Sequence, residues 1–305
     1  MRGRGLIGAG FAAFGAWRLL GSQAGRHRRP RINPLPIPGR SVFIPGGIEY
    51  FLRETGPVGA RPLILIHGWV YESLLTWHRL VPLLDDRFRV VMIDQRNHGG
   101  SDRIHRPYSI EGVADEMAAV MAVAGYPSAD VLGYSMGGMV AMSLAHRHPA
   151  RVGNLVLAAT AAHRKVNPRV ERAVLMAGRA LWRLSRVDGA AVTNLAFRYL
   201  KAIQPEYQTW VWDRLLDRDP DLAYWGGRAI LDFDFRAEAG NLTQPTLVVI
   251  PTRDQLIAPA DQYELAGLLA APTVVEVVGV GHEAVFTRAG DLATAVTDFL
   301  EKEPA

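Results

Sequence analysis

From residue 41 onward, short apolar runs alternate with longer stretches whose apolar positions recur at helical spacing. The runs are Leu63–His67, Val90–Asp94, Asp130–Gly133, Leu155–Ala159, Thr246–Ile250 and Thr273–Val278, most of them ending in a small or polar residue. A run without a polar face needs cover on both sides when it forms a strand. The helical-period stretches lie near 74–84, 109–124, 136–148, 260–270 and 288–302, mostly between those runs. Strands regularly separated by helices predict an α/β fold, with a mainly parallel sheet flanked by helices. Ser41–Ile44 and Ile48–Arg53, on either side of Pro45-Gly46-Gly47, read instead as a hairpin.

One interval breaks the rhythm. Between Ala159 and Pro245 the chain is helical in character and carries Trp182, Tyr199, Tyr207, Trp210, Trp212, Tyr224 and Trp225. An insertion of that size predicts a helical cap, residues 161–239, over the carboxyl edge of the sheet, where such sheets bind ligands. The core would then be residues 41–160 and 240–302. Trp210, Trp212 and Trp225 are candidate pocket residues for an apolar group, although a cap also needs a core of its own.

Inside the insertion, Asn167-Pro168 fits the cap and first position of a helix running to about Arg186. At 100° per residue, Arg169, Arg172, Arg179, Arg183 and Arg186 share one face, and Val170, Val174, Ala177, Leu181 and Leu184 share the opposite one. This pattern has two readings. In the first the basic face is solvated and the apolar face packs on the rest of the protein. In the second the helix belongs, with the basic leader, to a surface that meets an anionic membrane.

That leader changes the meaning of the charge. The formal charge is +4, from 34 Lys+Arg against 30 Asp+Glu, and the isoelectric point is near 9.5. Residues 1–40 hold eight of the arginines and no acid, so the remainder carries 26 basic against 30 acidic side chains. A phosphate-tracking surface over the whole molecule is excluded, and no nucleic-acid partner is expected. The stretch Gly5–Gly21 falls short of the roughly 20 apolar residues that span a bilayer, and the arginines after Ala24 oppose export of the downstream chain. The leader reads as a membrane-associated anchor or a tail, with a cleaved signal, small residues at Ser22 and Ala24, as the less favoured third reading, and is joined by a stiff linker at Pro34, Pro36 and Pro38. A cytoplasmic location is expected, with membrane association through this segment as the variant. The absence of cysteine excludes a disulfide framework, a thiolate nucleophile and a Cys-ligated metal.

Candidate chemistry begins at Gly133-Tyr134-Ser135-Met136-Gly137-Gly138, where a predicted strand meets a predicted helix. A serine on so sharp a turn needs glycine two before and two after it, and Gly133 and Gly137 supply them. With nine serines and 30 glycines, about 0.1 chance matches to G-x-S-x-G are expected. A serine hydroxyl is a weak nucleophile without a base. Of the nine histidines, His282 lies just past the last predicted strand, whereas His146 and His148 suit the end of a helix stopped by Pro149. Asp254 follows the strand Thr246–Ile250. It is preferred to Asp94, which ends an earlier strand, and to Asp261, which suits a helix start. The chain order is then Ser135, Asp254, His282.

Together with His67-Gly68-Trp69 and Asp94-Gln95-Arg96-Asn97-His98-Gly99-Gly100-Ser101, these segments resemble the lid-bearing α/β-hydrolase superfamily, over roughly residues 41–302. The resemblance implies a serine hydrolase of esterase type working through an acyl-enzyme. It assigns an oxyanion hole to the backbone N–H groups of Trp69 and Met136, with Trp69 and Tyr134 beside the substrate. The family's usual D-x-R-G-H-G-x-S appears here with Asn97 in place of a glycine. Serine at the elbow excludes, by the same resemblance, the dehalogenase and epoxide hydrolase branches, which carry aspartate there. No metal or organic cofactor is needed. A neutral or lipidic small-molecule ester is the expected substrate. Lactonase, thioesterase, carbon–carbon hydrolase, cofactor-free haloperoxidase, acyltransferase and ligand-receptor readings stay open, as does the oligomeric state.

Overall fold

The computed structural model describes residues 33–184 and 203–302. The leader and part of the insertion, including Tyr199 and Arg186, lie outside the described residues, so the reading of Gly5–Gly21 is not addressed by them.

Eight strands form one sheet: β1 (Gly39–Ile44), β2 (Ile48–Thr55), β3 (Pro62–Ile66), β4 (Arg89–Ile93), β5 (Ala129–Tyr134), β6 (Val152–Ala158), β7 (Thr246–Pro251) and β8 (Thr273–Val277). Their order is β1-β2-β4-β3-β5-β6-β7-β8. The β1–β2 and β2–β4 pairs are antiparallel, and every pair from β4 through β8 is parallel. The hairpin turns at Gly46 and Gly47, whose φ values of 97° and 77° are open to residues without a Cβ. Strands β3, β4, β5 and β7 are buried along nearly their whole length, as continuous apolar runs require.

The helices are α1 (Ser73–Trp77), α2 (Ile110–Ala124), α3 (Met136–Arg147), α4 (Pro168–Leu184), α5 (Gln208–Leu216), α6 (Pro220–Asp232), α7 (Pro259–Leu268), α8 (Ala284–Thr287) and α9 (Ala289–Lys302). Helix α2 starts where Ser109 Oγ accepts from Gly112 N at 3.1 Å and ends at Gly125, φ 92°. Helix α6 starts where Asp219 Oδ1 accepts from Asp221 N and Leu222 N at 2.7 and 3.3 Å, with Pro220 in the first turn. The whole sheet lies in one compact unit, residues 35–179 and 218–302, and the described residues 33–34, 180–184 and 203–217 group apart from it. The insertion leaves and rejoins the core through one antiparallel bridge, His163 to Asp234, beside Phe235 N–H bonded to Ala162 O at 2.8 Å.

Helix α4 departs from the expectation of an apolar face packed inward. Asn167 Oδ1 caps it, accepting from Arg169 N at 3.0 Å. However, none of its residues is buried, and its partly covered side is formed by Glu171, Leu175, Arg179 and Trp182. On that side Leu175 reaches Gly227, and Arg179 Nε bonds Asp221 Oδ1 at 2.6 Å, both residues of α6. The apolar face of Val170, Val174, Leu181 and Leu184 is exposed. Ion pairs to α6 turn the polar edge inward, so the reading in which the apolar face packs on the protein is corrected.

Candidate active site

Ser135 occupies the single residue between β5 and α3, with φ 56° and ψ −122°. A conformation of that kind costs about 1–3 kcal/mol, and its surroundings must enforce it. They do so by close approach: a Cβ on Gly133 would lie 2.3 Å from Gly137 O, and one on Gly137 would lie 2.0 Å from Ile66 O. Ser135 N donates to Ala158 O at 2.9 Å, anchoring the turn to β6. Tyr134 and Met136 are buried while Ser135 stays half-exposed, so the turn presents its hydroxyl.

His282 follows β8, and its Nε2 lies 3.0 Å from Ser135 Oγ. Its Nδ1 lies 2.7 Å from Asp254 Oδ2. Asp254, just past β7, is buried, and Leu256 N and Ile257 N donate to its Oδ1 at 2.8 and 2.9 Å. Gln262 Nε2 donates to Oδ2 at 3.2 Å. Three donors besides the imidazole therefore fix the carboxylate, which offsets the cost of burying it. The Tyr134 ring lies 5.1 Å from the His282 ring, and its hydroxyl donates to the backbone oxygen of His282. Burial, and then the nearby Asp254, push the Tyr134 phenol well above its ordinary value, so it remains a donor. A hydroxyl against an imidazole whose other N–H is held by a carboxylate can be deprotonated as it attacks an electrophile.

The His67-Gly68-Trp69 segment leaves β3 beside this serine, since a Cβ on Gly68 would lie 3.2 Å from Ser135 Cβ. Gln95 N–H donates to His67 Nε2 at 2.9 Å, so the ring proton sits on Nδ1, which bonds Gly68 O at 2.8 Å. Burial lowers the His67 pKa and keeps the ring neutral, against the pull of Asp94. In a trans peptide C=O and N–H point apart, so fixing Gly68 O also fixes the direction of Trp69 N–H. Met136, the first helical residue, has an amide with no acceptor inside its helix. Val70 holds φ 71°, a strained value for a β-branched residue, in the same loop.

Asp94, the alternative carboxylate, holds this loop instead of serving His282. Its Oδ1 accepts from Ser73 N at 2.9 Å, and its Oδ2 accepts from Gly100 N at 3.0 Å. Asn97 stands where the related motif has glycine and adopts φ 67°, which asparagine tolerates. Its Oδ1 accepts from Ile104 N at 2.7 Å.

Of the candidate pocket residues, Trp69 and Tyr134 lie at the site. Trp69 Nε1 donates to Ala223 O at 2.9 Å, and Gly226 and Gly227 pass over its ring, so α6 rests on Trp69. Trp225 stacks on Tyr224 within α6, with ring centroids 5.1 Å apart. Trp210, buried, and Trp212, partly so, fall in the 203–217 stretch that groups apart. Sequence reasoning missed Gln262, the positioning bond of His67, and Tyr71 with Arg218. The Arg218 guanidinium lies 5.7 Å from the Tyr71 ring, and burial lowers its pKa to about 10. Only the adjacency of His67 and Tyr71 to the Gly68-Trp69 pair could have flagged any of these.

Among the described residues, His105, Asp219 and Asp221 are close enough to share an ion. Asp219 caps α6 and Asp221 bonds Arg179, so both carboxylates already have structural work.

The model of the α/β-hydrolase fold family matches residues 61–289. The chain is 29% identical over 262 residues to a pimeloyl-acyl-carrier-protein methyl ester esterase of Neisseria meningitidis, covering 82% of this chain and 80% of that protein. It is 27% identical to a poly(3-hydroxyalkanoate) depolymerase of Ectopseudomonas oleovorans, over 88% of this chain and 95% of the relative. The enol-lactonase of Burkholderia xenovorans LB400 superposes with a TM-score of 0.74 at 27% identity, over 86% of this chain and all of the other.

Proposed function

The chain belongs to the α/β-hydrolase family, and from that premise we propose that it is a serine hydrolase of carboxylic esters acting through an acyl-enzyme. The single observation that carries this reading is the hydrogen-bond chain from Ser135 Oγ through the His282 ring to Asp254, at 3.0 and 2.7 Å. Ser135 Oγ attacks the ester carbonyl while His282 Nε2 accepts its proton. His282 then returns that proton to the leaving alkoxide, and Asp254 keeps the imidazole oriented and stabilises its charged form. Trp69 N–H and Met136 N–H are the donors to the oxyanion, the first aimed by the His67 bond to Gly68 and the second by the helix start. Water, activated by His282, releases the acyl group. Relatives whose names place them on methyl esters, polyesters and lactones support an ester carbonyl as the target.

Within the insertion, α6 is proposed as the part of a lid that bounds an apolar substrate, because it lies against Trp69, the residue whose amide is assigned to the oxyanion.

Turnover of p-nitrophenyl esters tests the assignment. Ser135→Ala and His282→Ala are expected to lower kcat by about 10⁴-fold or more with the fold retained, and Asp254→Asn somewhat less. A fluorophosphonate should label Ser135 and fail on Ser135→Ala. Near-normal turnover in a folded Ser135→Ala protein would overturn the reading.

A further inference from the structure

We propose that the outward face of α4 lies flat on the surface of an anionic phospholipid bilayer. Along this helix the residues turned away from α6 are aliphatic: Val170, Val174, Leu181 and Leu184 are 48–85% exposed, with Ala173 and Ala177 exposed among them. Soluble proteins seldom leave so continuous an apolar stripe to water unless it meets something. Helix geometry rules out a register accident, since the covered side is fixed by Leu175 against Gly227, by Arg179 against Asp221, and by the Arg179 guanidinium 4.9 Å from the Tyr224 ring.

Charge selects the occupant. The helix carries four arginines against one glutamate, and Glu171 lies on the covered side. Arg169 stands at the edge of the stripe, and Arg172 and Arg183 lie further round, towards the covered side; all three are exposed, and Arg172 also bonds Asp232 at 3.1 Å. Long arginine stems beside an aliphatic stripe let the stripe enter the acyl boundary while guanidinium groups stay at phosphate level. The stripe lacks an aromatic anchor of the kind that dominates protein–protein contacts, so a lipid surface fits it better than a second polypeptide. At 17 residues the helix is roughly 25 Å long, and its arginines forbid crossing. Among the described residues no helix is long and apolar enough to span a membrane, so the geometry is that of a helix lying in the interface.

The chain has no cysteine, which makes single-cysteine probes clean. In the full-length chain, Val174→Cys and, as a control at the far more exposed β-turn site, Val58→Cys are each labelled with an environment-sensitive nitrobenzoxadiazole dye. On adding vesicles of phosphatidylcholine and phosphatidylglycerol, the dye at position 174 should brighten roughly threefold and shift to the blue, whereas position 58 should not respond. The response should fall as salt rises and be weak on pure phosphatidylcholine. Because the reading is local, vesicle binding by the basic leader alone cannot imitate it. The triple variant Val170→Ser, Val174→Ser, Leu181→Ser should reduce vesicle partitioning about tenfold while the Tm in the absence of vesicles stays within a few degrees of the parent. A dye at position 174 that ignores anionic vesicles overturns the proposal. So does one that brightens with protein concentration alone, with a matching rise in mass by light scattering, which would assign the face to a second copy.

Discussion

Helices α3 and α4 each come after a strand of the same sheet and differ in almost everything that packing controls. In α3, every residue from Met136 to Ala145 is buried, and its first turn is pressed against β3 and Thr160. In α4 no residue is buried, its polar side meets α6 and its aliphatic side is exposed. The same helical geometry serves two purposes. One helix is locked in place to hold a strained serine turn. The other is held, among the described contacts, by Leu175, by ion pairs to α6 and by Arg179 over the Tyr224 ring, and its apolar surface is exposed. Surface ion pairs are worth about 0–1 kcal/mol each, so α4 rests on weak links where α3 rests on buried area.

Glycine-to-alanine changes separate the two most sharply. In α3, Gly137→Ala puts a methyl 2.0 Å from Ile66 O and 2.5 Å from His67 O, both backbone atoms of the sheet edge that cannot give way. We expect a loss above about 4 kcal/mol, read as a collapse in Tm or soluble yield. In α4, Gly178 has nothing within 4 Å of a built Cβ. Gly178→Ala should therefore stabilise that helix by about 1 kcal/mol, read as slower amide exchange within it. A harmless Gly137→Ala would mean that the turn around Ser135 is looser than its contacts indicate.

A valine-to-serine pair asks the same question of side chains. Val140 is fully buried in α3, and Val174 is 59% exposed in α4. Val140→Ser should cost about 3 kcal/mol, from lost apolar burial and a hydroxyl placed in the core. Val174→Ser should stay within about 0.5 kcal/mol by urea denaturation. Equal costs would show that the α4 face is covered in solution.

The contrast also marks how far the residues alone could be read. Continuous apolar runs announced six of the strand positions; five of those strands are covered on both faces, where a sheet tolerates no alternation, whereas the edge strand β8 is mostly exposed and was not expected to be, and the spacing Gly133-x-Ser135-x-Gly137 announced a turn that only glycine can close. The partners of Ser135 were legible because the ends of parallel strands are the only places from which loops such as those of Asp254 and His282 can converge. Helix α4 was legible as a helix, with its Asn167 cap, but not in its orientation. A wheel gives two faces and no neighbour, and here Leu175, Arg179 and Trp182 rather than the valines took the inward side. Contacts between segments distant in sequence, such as Trp69 with α6, leave no periodic signature at all, and neither does the short-range bond from Gln262 back to Asp254.

Acid sharpens the comparison through histidines that only the core carries. Burial lowers His78 to about 4, and burial with the neighbouring His67 lowers His98 to about 3. Unfolding raises these pKa values, so below about 6.5 the unfolded chain binds the extra protons and stability falls with pH. Each such histidine contributes a slope of about 1.4 kcal/mol per pH unit between its two values, lost downward from pH 6.5 to about 4 for His78. Replacing His78 with phenylalanine should flatten the slope of unfolding free energy over pH 6 to 4 by that amount, while amide exchange in α4, corrected for intrinsic rates, should not follow pH in this window. An unchanged slope would show that His78 is not held neutral in the core.

The smallest effect expected is at the start of α4, and it tests whether this helix opens on its own. Asn167 Oδ1 accepts from Arg169 N and Val170 N at 3.0 and 3.4 Å, satisfying amides that the first helical turn leaves open. Removing such a cap costs about 1 kcal/mol of helix stability. In a helix built into the core that cost would appear in the global unfolding free energy. In α4, which has no buried residue, it should appear only in the local opening equilibrium. Asn167→Ala is therefore expected to speed amide exchange about fivefold across α4 while amides of α3 keep their rates and the global Tm moves by less than about 1 °C. If exchange in α3 and the Tm both shifted in step with α4, the two helices would unfold as one unit, and the separation argued from their burial would fail.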